Sequence, residues 1–161
     1  MEIALYEPDI APNAATILRM GACLGVPVHI IEPAGFDVSD RGFRRAGMDY
    51  LEQASCTRHD SWSAFQRAME GRRLLLFTTG ATRSYLDFAY TPRDILLFGR
   101  ESAGVPEDVH ARADARLLIP MRQGLRSLNV AMACAMATGE ALRQQQLSQH
   151  MCWLNFMFDY S

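Results

Sequence analysis

Four apolar residues, Ile95 to Phe98, run without interruption into Gly99 and a polar loop that ends at Pro106. A short continuous apolar run bounded by turn signals is the pattern of a fully buried strand. Runs of the same kind recur at Glu2–Tyr6, Val28–Ile31, 74–78 and 117–119, and residues 54–57 add a short edge strand. Helical patterns lie between them. Asn13 caps a helix whose apolar face is Ile17, Leu18, Met20, Ala22 and Leu24, and Gly25 stops it. Ser61 caps a second helix that runs to Met69 with Trp62, Phe65 and Met69 on one face. Residues 41–46 form a short helix before a turn at Gly47, and residues 129–146 form the last helix. Strands that alternate with helices predict an α/β domain with a mostly parallel sheet flanked by helices.

The chain has 161 residues, of which 49% are apolar and 21% charged. That suits one domain, residues 1–150, with a proper core, followed by a markedly apolar tail, residues 151–161. A formal charge of −2 excludes a polybasic nucleic-acid binder, so any RNA contact needs a local patch or one completed by a second subunit. The best basic cluster is Arg41, Arg44 and Arg45, with Arg58 and His59 further on. It is either a solvated face or a phosphate-binding patch. The four cysteines fit neither a zinc site nor a disulfide framework, and Cys23 and Cys134 read as small core residues. No metal site is expected. No run reaches the roughly 20 apolar residues of a membrane span, and no signal peptide precedes the first strand, which predicts a cytoplasmic protein. His29, inside an apolar strand, reads as a satisfied core histidine. The last helix carries Val130 through Ala137 apolar on every side, which predicts burial all round, with a homodimer contact favoured over a purely internal core.

Three segments bring chemistry to strand ends, where open α/β sheets bind ligands. Pro12, Asn13 and Arg19 follow the first strand. Gly99, Arg100 and Glu101 follow Ile95 to Phe98. Ile119 and Pro120 lead to Ser127, Leu128 and Asn129 before the last helix. Asn13 serves as a helix cap, as a positioning amide, or as both; Ser127 and Asn129 have the same two roles open. Glu101 pairs with Arg19 or Arg100, accepts a proton, or is a surface carboxylate. No G-x-G-x-x-G follows a strand, and Gly99 to Gly104 lacks the Lys-Ser/Thr of a phosphate loop. Neither H-E-x-x-H nor a nucleophile elbow occurs.

In order and spacing these three segments resemble the motifs of the SPOUT RNA methyltransferases. Residues 5–10 (LYEPDI), 29–33 (HIIEP) and 44–50 (RRAGMDY) look like the subgroup that methylates the tRNA wobble ribose. The resemblance covers about residues 1–145. Where relatives have glycine and asparagine between the first asparagine and the arginine, this chain has Ala15 and Thr16, and Thr16 keeps a hydroxyl.

The resemblance implies a deep trefoil knot at the carboxyl end, a homodimer, and S-adenosyl-L-methionine held against three loops by Phe77, Thr78, Gly99, Ile119, Ser127 and Leu128. It implies methyl transfer to the ribose 2'-hydroxyl of cytidine 34, and of 5-carboxymethylaminomethyluridine 34, in a tRNA anticodon stem-loop. Asn13, Arg19, Glu101 and Asn129 become the catalytic candidates, and Arg41, Arg44 and Arg45 the RNA contacts. A guanidinium stays protonated in proteins, so Arg19 is expected to grip the phosphate beside the target ribose and stabilise the forming alkoxide. Two alternatives stay open. One is 2'-O-methylation at another tRNA or rRNA site, and the other is a non-catalytic RNA-binding module of the same fold.

Overall fold

A computed structural model describes residues 1–36 and 55–148. In chain order the elements are β1 Glu2–Tyr6, α1 Ala11–Leu24, β2 Val28–Ile31, β3 Cys56–His59, α2 Trp62–Ala68, β4 Leu74–Phe77, β5 Arg83–Ser84, β6 Ile95–Phe98, α3 Glu107–Arg112, β7 Ala115–Leu118 and α4 Val130–Ser148. One sheet holds the strands in the order β3-β2-β1-β6-β4-β7-β5, and each neighbouring pair is parallel. The expected mostly parallel sheet flanked by helices is therefore present, with β3 at one edge.

Strand alternation divides the core into two layers. Ile3, Leu5, Leu75, Leu96 and Leu117 face α1 and α4, packing with Ile17, Leu18, Cys134 and Ala137. Ala4, Tyr6, Leu74, Leu76 and Leu97 face the other way, onto Phe65 of α2 and Val109 of α3. This is the period-two rule on both faces of a parallel sheet. Helix α1 ends where Gly25 takes a left-handed conformation, φ 65°, and closes the last carbonyls. Ser61 caps α2 as expected, accepting from the Ala64 N–H.

Several expectations change. Helix α1 begins before Asn13, its N-cap is Ile10, and no side chain caps it. Pro12 suits the first turn of a helix because it has no N–H to leave unsatisfied. The last strand starts earlier than 117 and ends at Leu118. Strand β5 and helix α3 were not expected, being too short to carry a periodicity. Cys23 is exposed, whereas Cys134 is buried. Burial pushes the Cys134 thiol up to about 12, so it stays protonated and inert.

Helix α4 buries one face only: Ala131, Cys134, Ala137, Thr138 and Ala141. Met132 is 60% exposed and Met136 41%. Within the single chain the core covers one side of this helix, so a purely internal burial does not account for its apolar residues. The predicted helix 41–46 and turn at Gly47 lie outside the described residues, as does the tail.

At the amino ends of the strands His29 is buried and satisfied. Its Nδ1 lies 2.9 Å from His59 Nε2 and its Nε2 lies 2.7 Å from Glu2 Oε2. Phe65 meets both rings edge-on. His59 therefore belongs to the core rather than to a basic surface cluster. Burial, then the neighbouring His29, holds its pKa below the usual value.

Candidate active site

The carboxyl ends of β4, β6 and β7 stand side by side, with Phe77 in register with both Phe98 and Leu117. A crevice of about 560 Å³ opens beyond them, within the range of small-molecule sites. Its floor is apolar: the Phe77 and Phe98 rings stack at 4.9 Å, and Leu76, Leu117 and Ile119 also line it. Loop 99–105 forms one wall and residues 127–130 another. Phe77, Thr78, Gly99, Ile119, Ser127 and Leu128 all line this space, as do Asn13, Glu101 and Asn129. Arg19 is not among the lining residues. It is half-buried on α1 and is held by an interaction there.

Three of the candidate polar residues are joined by hydrogen bonds across 116 positions of sequence. Asn129 Oδ1 accepts from the Ala131 N–H at 2.8 Å and from the Met132 N–H at 3.3 Å, capping α4. That role leaves Asn129 Nδ2 to donate to Asn13 Oδ1 at 2.9 Å. Asn13 Nδ2 in turn donates to Glu101 Oε1 at 2.9 Å. Glu101 Oε2 accepts from the Asp9 main-chain N–H at 2.8 Å. The cap thus dictates which end of each amide is which, since only the oxygen accepts. Each amide nitrogen keeps a second N–H beyond the bond named. Releasing Asn13 from capping is what lets its side chain enter this relay.

Glu101 does not pair with Arg100. Arg100 Nη2 lies 3.0 Å from Asp9 Oδ1, and Nη1 lies 3.0 Å from Glu7 Oε2. Gly99 is required for a reason other than ligand approach: a Cβ there would stand 2.6 Å from the Gly104 carbonyl carbon. Ser127 lines the crevice but leaves the capping of α4 to Asn129. Thr16 turns its hydroxyl back to the Pro12 carbonyl at 2.8 Å. Arg58 is paired with Glu32. Arg41, Arg44 and Arg45 lie outside the described residues.

Sequence reasoning missed Asp9, His110, Arg122 and Arg126. His110 lines the crevice, and its buried Nδ1 has no hydrogen-bond partner among the described residues. Arg122 and Arg126 are exposed on the loop that leads from β7 to Ser127, without an ion-pair partner among the described residues. Their nearness to the third motif was the available signal. Among the described residues no cluster fit for a metal ion occurs, and no helix is long and apolar enough to cross a membrane.

Comparison with known proteins bears on this arrangement. A family model described as the SpoU rRNA methylase family matches residues 1–139. A protein of Ancylobacter novellus named tRNA (cytidine(34)-2'-O)-methyltransferase is 61% identical over 146 residues, covering 89% of this chain and 92% of its own. An Escherichia coli protein of the same name is 40% identical over 146 residues, covering 89% and 93%. A solved structure concerned with the 2-OH methylation of C/U34 on tRNA superposes with a TM-score of 0.86 at 41% identity, covering 89% of this chain and 95% of that one. The SpoU methyltransferase AviRb from Streptomyces viridochromogenes, solved in complex with AdoMet, superposes with a TM-score of 0.83 at 25% identity, covering 90% of this chain and 57% of that one.

Proposed function

The chain belongs to the SpoU rRNA methylase family, and from this premise we propose that it transfers a methyl group from S-adenosyl-L-methionine to the ribose 2'-hydroxyl of the tRNA wobble nucleotide. Cytidine 34 is the first target, as in the relatives named for it, and 5-carboxymethylaminomethyluridine 34 the second. The observation that carries this reading is the Asn129–Asn13–Glu101 relay standing over an apolar crevice at three strand ends.

The crevice suits such a donor. The stacked Phe77 and Phe98 floor, with Leu117 and Ile119, offers an apolar slot for an aromatic base, and strand-end main chain supplies polar edges. His110 Nδ1 is a buried polar atom still lacking a partner among the described residues. We assign Phe77, Thr78, Gly99, Ile119, Ser127 and Leu128 to holding the donor. When bound, it supplies an electrophilic methyl group on a sulfonium.

A ribose hydroxyl is a weak nucleophile, so its proton must leave at or near the transition state. Glu101 is the only carboxylate among the described residues that line the crevice. Its oxygens retain acceptor capacity beyond the bonds from Asn13 and Asp9, and it is the group assigned to receive that proton. The free amide N–H groups of Asn13 and Asn129 orient the ribose. Arg19, which lies outside the crevice lining of this chain, is assigned to the phosphate beside the target ribose, where a guanidinium would also stabilise the forming alkoxide. Holding oxygen, carbon and sulfur in line supplies much of the acceleration.

The reading extends to residues 1–150 as one methyltransferase domain with 151–161 as its tail, and to a trefoil knot at the carboxyl end. It also includes a homodimer that covers the exposed Met132 and Met136 face of α4, and a cytoplasmic location. RNA phosphates are assigned to Arg41, Arg44 and Arg45, and to the exposed Arg122 and Arg126, on the loop between the lining residues Met121 and Ser127. Alanine at Arg122 and Arg126 should lower the slope of log affinity against log salt for an anticodon stem-loop by about 0.7 for each phosphate no longer neutralised. Fluorescence anisotropy across a potassium chloride series measures it.

The activity itself is tested by mass spectrometry of nucleosides from bulk tRNA incubated with protein and labelled donor. The expected product is 2'-O-methylcytidine in the anticodon, and its absence with Arg19→Ala. A label elsewhere in tRNA, or only in rRNA, moves the target. Neither transfer nor donor binding makes the chain a non-catalytic RNA-binding module. Full turnover in Arg19→Ala removes that residue from the mechanism.

A further inference from the structure

Loop 99–104 is a closed ring of chain. The Arg100 N–H donates to the Gly104 carbonyl at 3.0 Å, and the Gly104 N–H returns a bond to the Arg100 carbonyl at 2.8 Å. The Asp9 side chain makes most of the bonds that fasten the ring from outside. Asp9 Oδ1 accepts from Arg100 Nε at 3.3 Å and Nη2 at 3.0 Å. Asp9 Oδ2 accepts from the Ser102 N–H at 3.1 Å and from the Ser102 hydroxyl. Glu7 adds a bond from Arg100 Nη1 at 3.0 Å while holding a left-handed φ of 42°. A non-glycine residue adopts that conformation only where its surroundings over-determine it, and such strain gathers at sites and clamps. The main chain of Asp9 has a different partner, since its N–H donates to Glu101 Oε2.

We propose that Asp9 is a positioning residue with two separable duties. Its side chain holds loop 99–104 in the shape that receives the methyl donor, and its main-chain N–H fixes Glu101 for the methyl acceptor. The first duty rests on the crevice being the donor site. A loop that must order around its ligand gives up affinity for every residue it orders, and a loop fastened beforehand does not. An isolated exposed ion pair would contribute little. Here a guanidinium fork and two further donors converge on one carboxylate, which adds direction to charge. Because the two duties belong to different atoms, substitution of the side chain removes the fastening and keeps the two bonds that Glu101 accepts, from the Asp9 main-chain N–H and from Asn13.

The test is calorimetry with S-adenosylmethionine, together with steady-state kinetics on anticodon stem-loop RNA, for the unaltered protein and for Asp9→Ala, Asp9→Asn, Ser102→Ala and Glu101→Gln. Asp9→Ala is expected to raise the Kd and KM of the donor about tenfold and to leave kcat at saturating donor within about twofold. Asp9→Asn keeps an acceptor for Ser102 and falls between the two. Ser102→Ala raises the Kd about threefold. Glu101→Gln gives the opposite split, with kcat lost and donor Kd kept. Unchanged donor affinity in Asp9→Ala, or a loss confined to kcat, overturns the proposal. If Asp9→Ala does not fold, unchanged donor affinity in both Ser102→Ala and Asp9→Asn overturns it equally. Failure of the unaltered protein to bind S-adenosylmethionine instead overturns the donor site itself, and this inference with it.

Discussion

Replacing Glu101 by alanine is expected to lower turnover by roughly two to three orders of magnitude, a loss in the range of a missing general base or of misplaced reactants. Two effects add. The only carboxylate lining the crevice among the described residues is removed, and Asn13 Nδ2 loses the acceptor that points it. Without that acceptor, the Asn13 amide turns freely about its bond to Asn129, and the ribose meets an unordered pair of donors. Glutamine is expected to recover little. Its carboxamide puts an NH2 donor where the carboxylate has its second oxygen, so a donor would face either Asn13 Nδ2 or the Asp9 N–H. Single-turnover methylation of an anticodon stem-loop at saturating donor measures the effect. Retention of more than a tenth of the rate in Glu101→Ala would show that both the relay and the proton acceptor are misassigned.

The largest loss of stability is expected at Asp94, at the other end of the sheet. Its side chain has no solvent exposure. It accepts from Arg73 Nε and Nη2, both at 2.7 Å, from the Thr91 N–H at 2.7 Å and from the Thr91 hydroxyl at 2.8 Å. Its own carbonyl receives the Glu2 N–H at 3.0 Å, so the residue also anchors β1 beside β6. Alanine removes at once the buried carboxylate that gathers four hydrogen bonds from Arg73 and Thr91, although Arg73, 44% exposed, can turn to water. The cost is about 3 kcal/mol, or roughly 6–12 °C in Tm for a domain of this size. Asparagine keeps one acceptor and should cost about half as much.

The pH dependence has a definite sign. Burial alone would raise the Asp94 pKa, but the bonds from Arg73 and Thr91 outweigh it and hold the carboxyl below its usual value of 3.8. The stabilisation is complete above that value and is lost as pH falls through the lower, folded one. Thermal melts from pH 7 down to pH 2 should therefore converge for the natural protein and Asp94→Asn. A constant gap between them would rule this out.

Much of this molecule was legible residue by residue. The apolar runs that became β1, β2, β4 and β6 have the length and bounding residues of buried strands, and Gly25 and Ser61 end and begin helices as their types suggest. Asn13 shows where such reading stops. An asparagine two residues after the start of a helical pattern reads as a cap, but Pro12 opens the helix earlier and the amide is used 116 positions away, at Asn129. Helix α4 shows a second limit. Alanine and methionine on every side speak of contact without saying with what, and the chain itself covers one face. Helix α3, six residues long, has no periodic signal and is held by Val109 against the sheet.

Local pattern by itself determined that parallel strands would deliver three motif-bearing loops to one end of a sheet, because strand length, alternation and turn chemistry are all settled within a few neighbouring residues. Only the tertiary structure decided that Asp9 would fasten loop 99–104, that Glu101 would turn to Asn13 and away from Arg100, and that His59 would be buried. Those partners are set by the strand order β3-β2-β1-β6-β4-β7-β5, and hydrogen bonds between residues far apart in the chain leave no trace in the spacing of either one.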